Sequence, residues 1–357
     1  MFYFIFILFL KLFTIFELKA EITIKRLIEL DNPWSIAFID KNNLLLTEKK
    51  GKIKLFNIDK NEIKNLLHNL NIYNKGQGGL LDIIYKDQNI WVSYAENLKK
   101  SLSRTSVAFS KLNNHKLVFK NIFESYPPIN SGQHFGARLA FNGNYLFASL
   151  GDRGQGMISQ DATKHPGSII RIFLDGRIPT DNPGLINKNN WLPEIYQIGV
   201  RNPQGLEVSP FNNEVYITNH GAMGGDFFGK VYHNGNYGWK ILGWGGKNYI
   251  GTKIGPKWKK GFDKPIYYWT PSIGISSFVI YKGNEFPELN GLAIIGSLKY
   301  KNLYLLNFAN MSRTPQLKIF IKEKLGRIRD IEVHPNNGKI YIVSEKYLWV
   351  IEKKIRN

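Results

Sequence analysis

No cysteine occurs anywhere in this chain of 357 residues. That excludes disulfides, thiolate zinc sites and cysteine nucleophiles, and a chain of this size folds without such cross-links. Long apolar runs are missing too. The one at the amino terminus covers Met1 to Leu10 before Lys11 interrupts it, which is too short to span a bilayer. Residues 1–20 therefore read as a secretory signal, although no cation precedes the apolar run and Leu18 and Lys19 replace the small residues usual before a cut after Ala20. An uncleaved anchor is the competing reading. Export predicts a periplasmic or secreted protein, with residues 21–357 as a single domain and no stable membrane insertion once the signal is removed. Acidic residues are the scarce charge: 28 Asp and Glu face 48 Lys and Arg, a formal +20. The lysines are spread among Asn and Ile instead of forming a basic stripe, so nucleic acid is not the expected partner, and a diffuse positive field suits acidic partners. HExxH, GxSxG, P-loop and strand-GxGxxG-helix motifs are all absent, as is any closely spaced histidine pair for zinc or iron.

What remains is 43% hydrophobic and 14% aromatic, enough for a substantial core. No long stretch carries a helical apolar period. Short apolar or alternating runs broken by Asn, Gly and Asp recur instead, which predicts an all-β fold. They repeat as strand, polar turn, strand, from Trp34, Gly79, Ala137, Gly205, Ser276 and Ile328. Six such units at roughly 55 residues each match four-stranded propeller blades, so a six-bladed β-propeller is the expected architecture, with a two-sheet sandwich as the alternative. Residues 176–194, "GRIPTDNPGLINKNNWLPE", are expected to form a long surface loop between blades.

Radial closure gathers the loops of every blade around one axis. Polar residues beside glycines in those loops are therefore the candidates for chemistry: Gln77, His134, Arg201 with Asn202, Asp226, Lys299, and Arg327 with Arg329. One imidazole among four cations suits a ligand carrying several carboxylates. Asp226 and the carbonyls of "NHGAMGGD" suit a hard cation such as calcium. Taken singly, each has a plainer reading: His134 as a bonded core histidine, the two arginines as a solvated face, Lys299 as one lysine among many, and "NYGW" at Asn236 to Trp239 as packing.

In chain order, the segments "NPWSIAF", "GQGGLLDI", "HFGARLAF…LGDRG", "DGRIPTDNP", "PEIYQIGVRNPQGL", "HGAMGGD", "GNYGW", "GSLK" and "GRIRDI" resemble the soluble quinoprotein aldose sugar dehydrogenases, the glucose/sorbosone dehydrogenase family. The resemblance covers roughly residues 30 to 353 and implies a propeller that uses pyrroloquinoline quinone (PQQ) and calcium (Ca2+) to oxidise an aldose to its lactone, passing electrons to an unidentified acceptor. By position it implies His134 as general base and Arg201 as a catalytic cation. Gln77, Arg201, Asn202, Lys299, Arg327 and Arg329 then bind the cofactor, and Gly221, Ala222, Asp226 and Tyr237 form the metal set. Three positions depart from the family: Phe227 stands where it has glutamate, Asn219 to Ala222 where it reads Glu-His-Gly-Pro, and Val200 where it has histidine. A phenyl ring cannot ligate calcium, so a second structural calcium relying on that glutamate is in doubt. The competing expectations are a non-catalytic propeller that binds a glycan or protein, and a calcium-dependent lactone hydrolase.

Overall fold

The computed structural model describes residues 21–113, 116–186, 190–308 and 314–354; the expected signal segment lies outside them. Six sheets of four or five strands are arranged as the blades of a β-propeller. The six repeating units are its inner halves. Their first strands, Pro33–Phe38, Leu80–Lys86, Gly136–Asn142, Pro203–Val208, Ile275–Ile280 and Ile328–Val333, line the axis. Each pairs antiparallel with the strand that follows it, in most blades through a short turn rich in Asn, Asp or Gly and in the fifth through a longer connection that holds a 3-10 turn, Pro287–Leu289. The first described strand, Ile22–Glu29, forms the outer edge of the last blade, with Ile22 opposite Lys353, and thereby closes the ring.

Blades pack face to face, so both faces of each inner strand need apolar residues. "ISSFVI" and "AIIGS" in the fifth blade are buried at every position. Each of the six main apolar clusters sits between two consecutive blades, as where Ile294 and Leu305 of the fifth meet Ile331 and Ile342 of the sixth. The segment 176–194 is not a connection between blades. It lies within the third blade, between Ser168–Phe173 and Ile195–Ile198, and holds a short helix, Pro183–Ile186. Proline and glycine mark a turn without saying which strands it joins.

Inside the ring, Arg138 is gripped by two carboxylates, Asp82 at 3.1 Å and Asp330 at 2.7 Å. Ser35 and the Leu139 amide also bond Asp82, and the Ile36 amide bonds Asp330. This knot plugs the axis midway. Beyond it, towards the carboxyl ends of the inner strands, lies a cavity of about 470 Å³ lined in part by Glu207 and Glu332. Burial, and then the charges of Asp330 and Asp82, push the Glu207 carboxyl up to about 8. A carboxyl whose pKa is raised by folding is protonated in the native state and ionised in the unfolded state between those two values, so its contribution to stability is lost as pH rises from about 4.5 to about 8. Glu207→Gln is accordingly expected to raise the melting temperature by about a few degrees at pH 8.5 and by almost nothing at pH 4.5. Thermal unfolding across that range checks this; an equal gain at both pH values would count against it.

Candidate active site

The inner strands run parallel to one another around the axis, so all six begin at the same end, and each second strand, being antiparallel, finishes there. The candidate residues obey this rule. Gln77, His134, Arg201 and Asn202 lie just before inner strands, as does Arg327, with Arg329 second in its strand; Lys299 and the 219–222 turn follow second strands. One rim thus holds residues from five blades.

His134 has a left-handed backbone, φ 47°, and its loop is pinned on several sides. Its amide donates to Gln77 Oε1 at 2.9 Å. Arg153 binds the Gln133 carbonyl at 2.9 Å and that of Ser131, with its guanidinium 3.7 Å from the Phe135 ring centre. Gly151 is required here, since a Cβ on it would fall 2.0 Å from the His134 carbonyl oxygen. The imidazole Nδ1 lies 2.6 Å from Asp152 Oδ1. Burial pushes the Asp152 carboxyl upward, but hydrogen bonds from His134, the Gly154 amide and the Trp239 indole hold it below its ordinary value. An ionised carboxylate only accepts, so Nδ1 carries a proton, and Nε2 has no hydrogen-bond partner among the described residues.

Trp239 completes the arrangement. Its Nε1 donates to Asp152 Oδ2 at 2.6 Å, and its ring lies 5.4 Å from the Arg201 guanidinium. Asn219 Oδ1 accepts from the amides of both Arg201 and Asn202, while Asn202 Oδ1 takes the Gly136 amide at 3.1 Å. His220, whose amide bonds the Asn202 carbonyl, is partly buried, and its buried Nε2 has no partner among the described residues. Burial, with the charge of Arg201, outweighs Asp226 and pushes it down to about 4, so it is neutral.

Across the rim, Arg329, Lys49 and Lys299 form no ion pair with a described carboxylate, whereas Arg327 has Glu345. Arg329 Nε is buried without a partner, and its guanidinium lies 5.1 Å from the Trp34 ring centre. Burial, then Arg327 and Arg138, push its pKa down to about 10. Lys49 donates to the Gly76 carbonyl and is lowered by burial and by Arg329. Arg327 donates to the Leu298 carbonyl at 3.2 Å, beside Lys299, and lies 3.7 Å from Glu345. Positive groups desolvated together without counter-ions are costly; a bound polycarboxylate relieves that cost.

For a metal, the carbonyls of Gly221 and Ala222 accept no hydrogen bond among the described residues. The other two members of the expected set are engaged elsewhere. Asp226 takes the Gly221 amide and Ser272 on one oxygen and the Ile275 amide on the other, so it braces the carbonyl turn. Tyr237 is fully buried; its hydroxyl donates to the Lys230 carbonyl, and its own carbonyl takes the Trp244 indole. Phe227 packs on Tyr237 with ring centres 4.6 Å apart. Among the described residues, no three His, Asp or Glu side chains gather as metal ligands.

Sequence reading passed over Asp152, Arg153, Trp34 and Trp239. Asp152 and Arg153 stand in "LGDRG" just after the second strand of the third blade, the position the rim rule singles out. Packing alone does not describe Trp239, which serves both Asp152 and Arg201.

The chain matches the glucose/sorbosone dehydrogenase family over residues 30–348. It is 32% identical to the aldose sugar dehydrogenase YliI of Escherichia coli K12 over 332 residues, 89% of this chain and 88% of that protein. The apo crystal structure of the soluble aldose sugar dehydrogenase from Escherichia coli superposes with a TM-score of 0.88 at 29% identity, covering 94% of this chain and all of that one. A PQQ-bound aldose sugar dehydrogenase from Streptomyces coelicolor shares the fold, with a TM-score of 0.75 at 19% identity over 94% of this chain and 99% of that one. With residues 30–348 matched, this chain belongs to the glucose/sorbosone dehydrogenase family.

Proposed function

We propose that this protein is a sugar dehydrogenase that oxidises an aldose at its anomeric carbon to the lactone, with pyrroloquinoline quinone and calcium as resident groups, outside the cytoplasm. One observation carries this: an imidazole held by an ionised carboxylate, beside the buried Arg201 and the buried, unpartnered Nε of Arg329, neither in an ion pair with a described carboxylate. When bound, the quinone supplies a two-electron acceptor for hydride, and the calcium a Lewis acid that polarises it. The rest falls to the chain. His134 takes the proton of the anomeric hydroxyl at Nε2, and Asp152 stabilises the imidazolium that forms. Arg201 sets positive charge where negative charge develops. Arg329, Lys299 and Arg327 pair with the cofactor's carboxylates, and Gln77 and Asn202 fix the loops that frame it. The Gly221 and Ala222 carbonyls hold the calcium, with Asp226 acting through their turn.

The deciding experiment is dye-linked oxidation of a panel of aldoses by purified apoprotein, with and without added quinone and calcium. Activity only with both is expected. Inactivity on every sugar, or no spectral change on titration with the quinone, would favour a non-catalytic scaffold. The Trp239 indole has its own test. Trp239→Phe keeps a ring beneath Arg201 but removes a hydrogen bond to a charged group, so kcat is expected to fall by about 5- to 30-fold. Asp152 then holds a proton on His134 more tightly, and the acid limb of the kcat–pH profile moves to higher pH. A fall with an unmoved profile would make Trp239 merely structural.

A further inference from the structure

Between the third and fourth strands of the fourth blade, Asp226–Lys230 and Tyr267–Trp269, the chain makes a long excursion over the rim. Within it a hairpin closes where Lys247 faces Lys253, the Asn248 amide donates to the Thr252 carbonyl, and the Gly251 amide donates to that of Asn248. Its tip is apolar and bare: Ile250 is 86% exposed and Tyr249 72%. Yet Tyr249 touches the site, its hydroxyl accepting from Arg201 Nη2 at 3.3 Å. At the foot of the hairpin, Met223 is also half exposed and its amide binds the Lys247 carbonyl.

The excursion is charged on one side only. Lys247, Lys253, Lys257, Lys259 and Lys260 are all exposed, and none forms an ion pair with a described carboxylate. The single acid among them, Asp263, is turned inward to accept the Asn236 amide. Elsewhere on the surface several exposed lysines do have partners, as Lys50 with Asp31, Lys164 with Asp161 and Lys354 with Glu21. The excursion differs in gathering these five exposed lysines around a single acid that is turned inward. Uncompensated charge around a small apolar tip favours rapid, transient docking of a protein of opposite sign. A small anion has no use for Ile250.

We propose that this lysine-bearing excursion, with Tyr249 and Ile250 at its tip, is the docking face for an acidic electron-carrier protein. This rests on the dehydrogenase reading above. Each aldose oxidised to its lactone gives up two electrons and two protons. Two successive encounters pass one electron each to the carrier's one-electron centre, and the protons pass to water.

The test uses reconstituted wild-type enzyme and the Lys253→Glu/Lys257→Glu/Lys259→Glu/Lys260→Glu variant, with an acidic c-type cytochrome, a basic one and a small uncharged dye as acceptors. The second-order rate with the acidic cytochrome is expected to exceed that with the basic one and to fall about tenfold or more in the variant, and likewise with added salt. Dye-linked turnover stays unchanged. Equal rates for the two cytochromes, or a variant indistinguishable from wild type, would overturn the docking face. Calorimetric titration of the apoprotein with the acidic cytochrome and with anionic phospholipid vesicles gives a readout that needs no turnover. Salt-sensitive cytochrome binding that is lost in the variant supports the proposal even if the dye assay fails, which would count against the dehydrogenase reading alone. Binding to vesicles but not to the cytochrome would assign the patch to a membrane surface and sink the proposal.

Discussion

His134→Ala is expected to lower kcat of the reconstituted enzyme by about a thousandfold, within the range that a positioned general base contributes. Affinity for the quinone is expected to change little, because the cations that would bind its carboxylates come from other blades. The site tolerates the loss. Among the described residues the side chain of His134 bonds only Asp152, which keeps the Gly154 amide and the Trp239 indole, and the loop stays pinned through the backbone by Gln77 and Arg153. A second variant, His134→Asn, accepts the left-handed backbone more readily and still offers Asp152 a donor, yet has no basic lone pair. Both are expected to lose turnover while still titrating with quinone. Near-normal kcat in either would move the base elsewhere.

Arg138→Met is expected to destabilise the protein by about 3–5 kcal/mol, the usual cost of removing one partner from a buried ion cluster. Asp82 and Asp330 would then face each other beside Glu207 with no cation. Burial already pushes the Asp82 carboxyl upward against the pull of Arg138, and without that pull one carboxyl must take a proton. Adding Asp330→Asn is expected to recover part of the loss. The site suffers too: Arg138 Nη2 holds the Arg329 carbonyl at 2.6 Å, so quinone affinity is expected to drop in Arg138→Met even where the fold survives. Denaturant unfolding and spectral titration measure the two effects. A loss of stability below about 1 kcal/mol would mean that the knot is not what locks the ring.

The inner half of each blade was legible because its two strands are adjacent in sequence and apolar on both faces, as at Ile275–Ile280 and Ala293–Ser297. Outer strands were harder to read. Glu62–His68 and Gln316–Ile321 are exposed at half or more of their positions and belong to no strand-turn-strand unit of their own. The ordering of the blades, and with it the place of 176–194, depends on pairings that no local pattern records. In the site, His134, Arg201 and Arg329 could be singled out by residue type beside glycine. The worth of Asp152 and Trp239 lies in two contacts, spanning 18 and 87 residues of chain, so nothing near either residue in the sequence marks it. Asp226 is hard to read for the same reason: a carboxylate in a glycine-rich turn looks free until its three donors are seen.

The pairing of Ile22 with Lys353 imposes an order in time. The strand synthesised first, Ile22–Glu29, waits for the strand that ends at Lys353 before it has a neighbour, so every shorter nascent chain leaves an open sheet edge and an unfilled wedge between the first and sixth blades. Such an edge invites pairing with another chain. A chain built this way gains from being held unfolded until synthesis ends, which is also the condition that threading across a membrane requires.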